Sequence, residues 1–219
     1  MTVQVKIWDV PTRLFHWTLV GLFGVMWYTG EQGGEALQQH FLAGYAIATL
    51  VIFRLIWGVL GSDTARFSQF VRGPSAVMAY LRGTLPEHEA PGHNPMGGLM
   101  VLAMLALLAF QVGTGLCASD IDSYLWDGPL AKRIGADLSE TITGWHKAAF
   151  DVLLMAVITH VTAIVFYLLF KKRNLVKAML TGQQIFDAPV QRLAFVRGSI
   201  ALLALLVAAG AVYGLVTQV

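Results

Sequence analysis

Apolar residues fall in long unbroken runs separated by short polar segments. Five runs stand out, at about Leu14–Tyr28, His40–Leu60, Gly97–Leu116, Thr143–Phe170 and Ser199–Val216. Such runs approach or exceed the roughly 20 residues a helix needs to cross a hydrocarbon core about 30 Å thick. The first is long enough only if it begins near Pro11, with Thr12 as its cap. Trp17, Trp27, Tyr28, Trp57, Trp145, Tyr167 and Tyr213 lie near the ends of the runs, as in the aromatic belts of membrane helices. A shorter pattern, Ser75–Leu81 between Gly73-Pro74 and Gly83, predicts an amphipathic helix on the membrane surface. Asn94-Pro95 reads as the cap and first turn of the third run.

Composition agrees. With 219 residues, 56% of them hydrophobic and 13% charged, and a mean hydropathy of +0.63, too few polar residues remain to cover a soluble surface. The expected class is a multi-pass integral membrane protein. A net charge of +2 gives no reason to expect nucleic acid. One cysteine, Cys117, excludes an internal disulfide framework, and the lack of Cys-x-x-Cys-His excludes covalent haem attachment. The first run has no small-residue cleavage site and is expected to be retained.

Charge position then sets orientation. Lys6 and Arg13 precede the first run; Arg66, Arg72 and Arg82 lie between the second and third; Lys171, Lys172, Arg173, Lys177, Arg192 and Arg197 follow the fourth. The first–second connection has no Lys or Arg, and the third–fourth has Lys132 and Arg133 among five acids. The positive-inside rule places the N-terminus in the cytoplasm and the C-terminus outside.

The histidines carry the candidate chemistry. His146 and His160 share one run, fourteen residues apart, which on a helix is about 40° short of four full turns and a climb of about 21 Å. They therefore project from nearly one face at opposite depths. Antiparallel neighbours bring His40 to the outer level with His146, and His16 to the inner level with His160. Two imidazoles from different helices at each level suit bis-histidine ligation of a haem iron. Gly30, Gly44, Gly113 and Gly115 would clear space for macrocycles, although small residues also mediate plain helix packing.

Arg54 repeats the fourteen-residue step from His40. A buried arginine in hydrocarbon calls for an anionic partner such as a haem propionate, or a quinone oxygen, against the alternative of snorkelling near its helix end. Asp151 lies off the ligand face and reads as a partner of Lys147. His88 and His93 read as solvent-facing loop residues. Gln111 and Thr114 stay open between a propionate and a neighbouring helix. A histidine path for zinc or copper is the alternative without haem.

Several motifs point further: Ile7-Trp8-Asp9-Val10-Pro11-Thr12-Arg13-Leu14-Phe15-His16-Trp17, Arg66-Phe67-Ser68-Gln69-Phe70-Val71-Arg72-Gly73-Pro74, Gly92-His93-Asn94-Pro95-Met96-Gly97-Gly98, and Trp145-His146 with His160. Together they closely resemble the bacterial cytochrome b561-like group, which also embraces the cytochrome b subunits of nickel-iron hydrogenases. The resemblance covers about Lys6 to Gly182.

It implies an all-α integral membrane four-helix bundle holding two non-covalent b-type haems. The inner iron would be held by His16 and His160 and the outer by His40 and His146, the same pairs that topology suggests. The expected organisation is a di-haem domain over residues 6–182, with spans at about 14–28, 40–60, 97–116 and 143–170, and an accessory segment over 183–219 with a fifth, C-terminal span at about 199–216. The resemblance further implies electron transfer in the bacterial cytoplasmic (inner) membrane, between ubiquinone or menaquinone and a periplasmic partner such as a cytochrome c. One alternative is superoxide oxidation with quinone reduction. Another is a haem-carrying anchor for a hydrogenase or dehydrogenase subunit. The outer segments carry seven acids (Glu31, Glu35, Asp120, Asp122, Asp127, Asp137, Glu140) against three bases (Lys132, Arg133, Lys147). That balance favours a basic protein partner over superoxide.

Overall fold

The computed structural model describes residues 2–86, 88, 91–120 and 126–218; Asp122 lies outside them. Helices dominate: α1 Val10–Gln32, α2 Leu37–Leu60, α3 Phe67–Phe70, α4 Pro74–Leu81, α5 Pro95–Cys117, α6 Ala131–Ile134, α7 Ala136–Leu169, α8 Leu175–Thr181 and α9 Gly198–Thr217. Two short strands, β1 Val3–Lys6 and β2 Gln183–Phe186, pair antiparallel with Val3 opposite Phe186 and Lys6 opposite Gln183.

Among the described residues, four helical segments are long and apolar enough to cross a membrane: Gly34–Leu60, Pro95–Cys117, Ala136–Leu169 and Gly198–Thr217. They correspond to the second to fifth expected runs. The first run lies on α1, which has the length at 23 residues but is not among those four, because Arg13, His16, Glu31 and several threonines and glycines dilute its apolar content. Its cap also differs from expectation. Asp9, not Thr12, caps α1, its Oδ1 accepting from the Thr12 backbone N–H at 2.7 Å. Asn94 caps α5 as expected, accepting from the Gly97 N–H at 2.7 Å, and the short surface pattern forms α4.

The chain divides into two compact units. The first comprises residues 1–15, 54–103 and 158–204. Its small core is Ile7, Trp8, Ala178 and Phe186, with Val5, Met179, Val190 and Leu193 against it. Gly182 ends α8 in the left-handed conformation, at φ 81° and ψ 4°, which glycine adopts without steric cost. Its carbonyl accepts from Ile7 and Trp8 at 2.8 and 3.1 Å, fastening the N-terminal segment to α8. Residues 194–196 are fastened to Ser62 and Asp63: Ala194 N–H donates to Asp63 Oδ2 at 2.7 Å and Val196 N–H to Ser62 Oγ at 3.1 Å. Trp57, expected in an aromatic belt, is fully buried, and its indole N–H donates to Asp9 Oδ2 at 3.0 Å. A buried indole N–H needs an acceptor, and the acid that caps α1 provides it.

The second unit comprises residues 16–53, 104–157 and 205–219. Its core is Ile47, Val51, Leu108 and Leu153, packed by Leu19, Leu22, Phe23, Met26, Leu107 and Val112. Four helices, α1, α2, α5 and α7, thus contribute to one apolar centre. Trp27, Tyr28, Trp145 and Tyr213 are exposed, in keeping with their expected belt positions. Arg133 donates to the Gln218 carbonyl at 2.6 Å, holding the end of α9 beside α6.

Candidate functional site

Within the second unit, His40 at the start of α2 and His146 on α7 approach with ring centroids 6.3 Å apart and planes at 81°. Each ring is held through Nδ1. Thr29 Oγ1, which donates to the Val25 carbonyl at 2.7 Å, lies 3.2 Å from His40 Nδ1 and is free to accept its proton. His146 Nδ1 lies 3.1 Å from both the Gln111 carbonyl and Thr114 Oγ1. Thr114 in turn donates to the Phe110 carbonyl at 2.8 Å. With Nδ1 protonated in both rings, the lone pair of each resides on Nε2, the tautomer a metal requires. The Gln111 amide nitrogen lies 3.3 Å from His146 Nε2 and donates to the His146 carbonyl at 3.1 Å.

The pair borders a cavity of about 590 Å³ with Phe23, Met26, Trp27 and Phe150 among its walls. Backbone bareness keeps the rings in place. A Cβ on Gly115 would stand 2.9 Å from His146 Cε1, and one on Gly30 would stand 3.3 Å from His40 Cε1. Gly44 also borders the cavity. Gly113 does not, and nothing stands within 4 Å of its missing side chain, so the clearance role expected for it finds no support.

The donor set fits a haem. A metal–imidazole bond of about 2.0–2.1 Å added to the short distance from nitrogen to ring centre gives roughly 6–6.5 Å between two rings on one ion, and the observed 6.3 Å agrees. Among the described residues no group of three or more His, Cys, Asp and Glu could hold a metal ion. Two imidazoles alone suit an iron whose four remaining ligands come from a macrocycle.

In the first unit, Arg54 on α2 is 3% exposed and its Nη1 has no hydrogen-bond partner. Its guanidinium lies over the rings of Phe67 and Phe70, at 5.0 and 5.9 Å to their centroids. That burial does not fit snorkelling. His160 on α7 and Arg54 both act electrostatically on His93. His93, expected in solvent, instead lies between Trp8 and Phe70, with ring centroids at 4.7 and 4.6 Å and Nδ1 buried. Burial, then Arg54 and His160, pushes its pKa down to about 3, against a hydrogen bond to the Thr64 backbone. The ring is therefore neutral at physiological pH. His16, in the second unit, is half-buried on α1 with its ring edge-on to Trp17 at 5.0 Å.

Asp151 lines the His40–His146 cavity together with Lys147. The ion pair expected between them is not formed, and Asp151 has no partner among the described residues. Asp151 is exposed, about 140° round the helix from His146.

Comparison with known proteins completes the description. Residues 7–182 match the family Prokaryotic cytochrome b561. A probable Ni/Fe-hydrogenase B-type cytochrome subunit from Bradyrhizobium diazoefficiens is 23% identical, covering 83% of this chain and 86% of its own. A protein of the same name from Azotobacter vinelandii is 25% identical, covering 83% and 89%. No solved structure matches.

Proposed function

From its membership of the prokaryotic cytochrome b561 family, which makes this chain a multi-pass bacterial membrane b-type cytochrome, we propose that it carries electrons between the membrane quinone pool and a periplasmic redox partner through two bis-histidine haems. The observation that supports this best is the His40–His146 pair, 6.3 Å apart beside a cavity and pinned in the metal-binding tautomer.

A haem held by His40 and His146 would supply a one-electron couple without an open site for oxygen. The protein's part is placement. Thr29, Thr114 and the Gln111 carbonyl orient the two imidazoles and raise their basicity. Gly30 and Gly115 give the rings room, and the aromatic walls exclude water. His16 with His160 forms the second pair, a reading that rests on the sequence and the family resemblance. Arg54, buried and with an unsatisfied Nη1, pairs with a propionate carboxylate.

On this reading the N-terminus is cytoplasmic and the C-terminus periplasmic, residues 6–182 form the di-haem domain, and α9 is an accessory span. The relatives named as hydrogenase cytochrome subunits favour a second form of the same reading, in which the periplasmic partner is a hydrogenase subunit and not a cytochrome c.

A pyridine haemochrome assay with a redox titration tests the proposal. Two haems per chain with two resolved midpoints are expected, and loss of one on His40→Ala or His146→Ala with the other intact. A purified chain without a reducible b-type spectrum, or loss of both haems from either change in a folded protein, refutes it.

A further inference from the structure

The cavity beside His40 and His146 has unlike ends. About two turns along α2 and α7 from the histidines, its floor is made by the apolar side chains of Ile47, Leu108 and Leu153. Its other end is polar, with Glu31, Ser119, Asp120, Trp126 and Lys147 in the wall. Trp126 is brought there by an arm of two short segments, residues 118–120 and 126–130, that follow α5. Gly128 N–H donates to the Ala118 carbonyl at 2.7 Å, Asp120 N–H to the Trp126 carbonyl at 3.0 Å and Leu130 N–H to the Leu116 carbonyl at 2.8 Å. Thr143 Oγ1 accepts from the Ser119 N–H at 2.9 Å, which pins the arm to the helix that carries His146. Residue 128 must be small for this approach, since a Cβ there would stand 2.6 Å from the Leu116 carbonyl oxygen. The Trp126 backbone is therefore held at the cavity. Its indole N–H is buried and has no acceptor among the described residues. Buried donors are nearly always paired, so a donor left alone at a cavity marks an acceptor that the cavity's occupant brings. Glu31, Asp120 and Asp151 line the cavity against one base, Lys147, so net charge does not draw an anionic group in. A directed donor must do so.

We propose that the Trp126 indole N–H donates to a propionate carboxylate of the haem held by His40 and His146, so that the propionate edge faces the arm and the apolar edge lies on Ile47, Leu108 and Leu153. The proposal rests on the electron-transfer reading above. Trp126 is then a positioning residue. Its N–H selects one rotation of the macrocycle about the axis through the two imidazoles, and a hydrogen bond to an ionised acceptor is of the strong kind. The same donor draws negative charge away from the iron, which favours the ferrous state and raises the midpoint potential of that haem.

The test uses the full-length protein in nanodiscs, loaded with haem or with haem dimethyl ester, whose propionates carry no charge. Trp126→Phe keeps an aromatic ring and deletes the donor. With haem, the variant should lose one haem to apomyoglobin about tenfold to hundredfold faster than the wild type, and that haem should titrate at a lower midpoint while the other is unchanged. With the diester, variant and wild type should release it at nearly the same rate. Ultraviolet resonance Raman spectra of the wild type should show a stronger indole hydrogen bond with haem than with the diester, a readout that stands even if Trp126→Phe fails to fold. Unchanged retention and midpoint in Trp126→Phe, an equal acceleration for haem and diester, or identical indole spectra overturns the proposal. A wild-type protein that holds no haem overturns the electron-transfer reading instead.

Discussion

Gly115 offers the sharpest test of how the His40–His146 pair is built. In Gly115→Ala the new Cβ stands 2.9 Å from His146 Cε1 and 3.4 Å from its Nδ1. Carbon atoms rest at about 3.5–4.0 Å, so the ring must withdraw by roughly 0.6–1 Å. It is not free to do so. Nδ1 is held at 3.1 Å by both the Gln111 carbonyl and Thr114 Oγ1, and metal bonds tolerate only about 0.2 Å. Withdrawal therefore breaks a hydrogen bond worth about 0.5–1.5 kcal/mol or leaves overpacking of about 1–3 kcal/mol. Haem retention should weaken roughly tenfold to hundredfold.

Transfer of haem to apomyoglobin, followed by visible absorbance, measures this directly. Gly30→Ala, with its contact at 3.3 Å, should show a smaller effect, and Gly113→Ala, with nothing within 4 Å, should show none. Far-UV circular dichroism confirms that the helices persist. Wild-type retention in Gly115→Ala, or an equal loss in Gly113→Ala, would refute the assignment of Gly115 as the clearance for the His146 ligand.

Other expectations follow from the same geometry. Thr114→Val removes one acceptor from His146 Nδ1; the less basic ligand should raise the midpoint potential of one haem and leave the other unchanged in a redox titration. Asp9→Ala deletes the α1 cap, the Trp57 acceptor and the acid that acts on Arg54; thermal unfolding in detergent should show a loss of about 2–4 kcal/mol, and Asp9→Asn a smaller one. His93 has its pKa lowered from 6.5 to about 3 in the folded protein. Between those values the unfolded chain binds a proton that the folded chain does not. Stability should therefore fall as pH drops through that window, by up to about 1.4 kcal/mol per pH unit, and His93→Phe should flatten the dependence.

The approach of His40 to His146 was legible in the sequence because helical periodicity sets it: once His40 opens one apolar run and His146 opens an antiparallel one, they fall at one level. Asn94, α4 and the four long apolar helices were legible for the same reason, that their causes lie within a few residues. What escaped depends on partners far along the chain. Asp9 reads as an ordinary polar residue until Trp57, 48 positions away, is found donating to it. His93 lies in a segment rich in proline and glycine, which reads as solvated, yet Trp8 and Phe70 close over it from either side. Asp151 has Lys147 at ideal helical spacing, yet no ion pair between them is formed among the described residues. Gly113 and Gly115 look alike in sequence, and the turn of α5 separates them.

The pairing of β1 with β2 has a consequence for biogenesis. Val3 bonds opposite Phe186, so the first strand has no partner until most of the chain has been made. At about 5–20 residues per second, the N-terminal segment waits roughly ten to forty seconds after its own synthesis while the spans between are inserted. During that interval Ile7 and Trp8, later enclosed with Ala178 and Phe186, are bare hydrophobic residues. The last step of assembly is then a clasp between the two ends of the 7–182 region, and chains stalled before residue 186 should be the ones that quality-control proteases find.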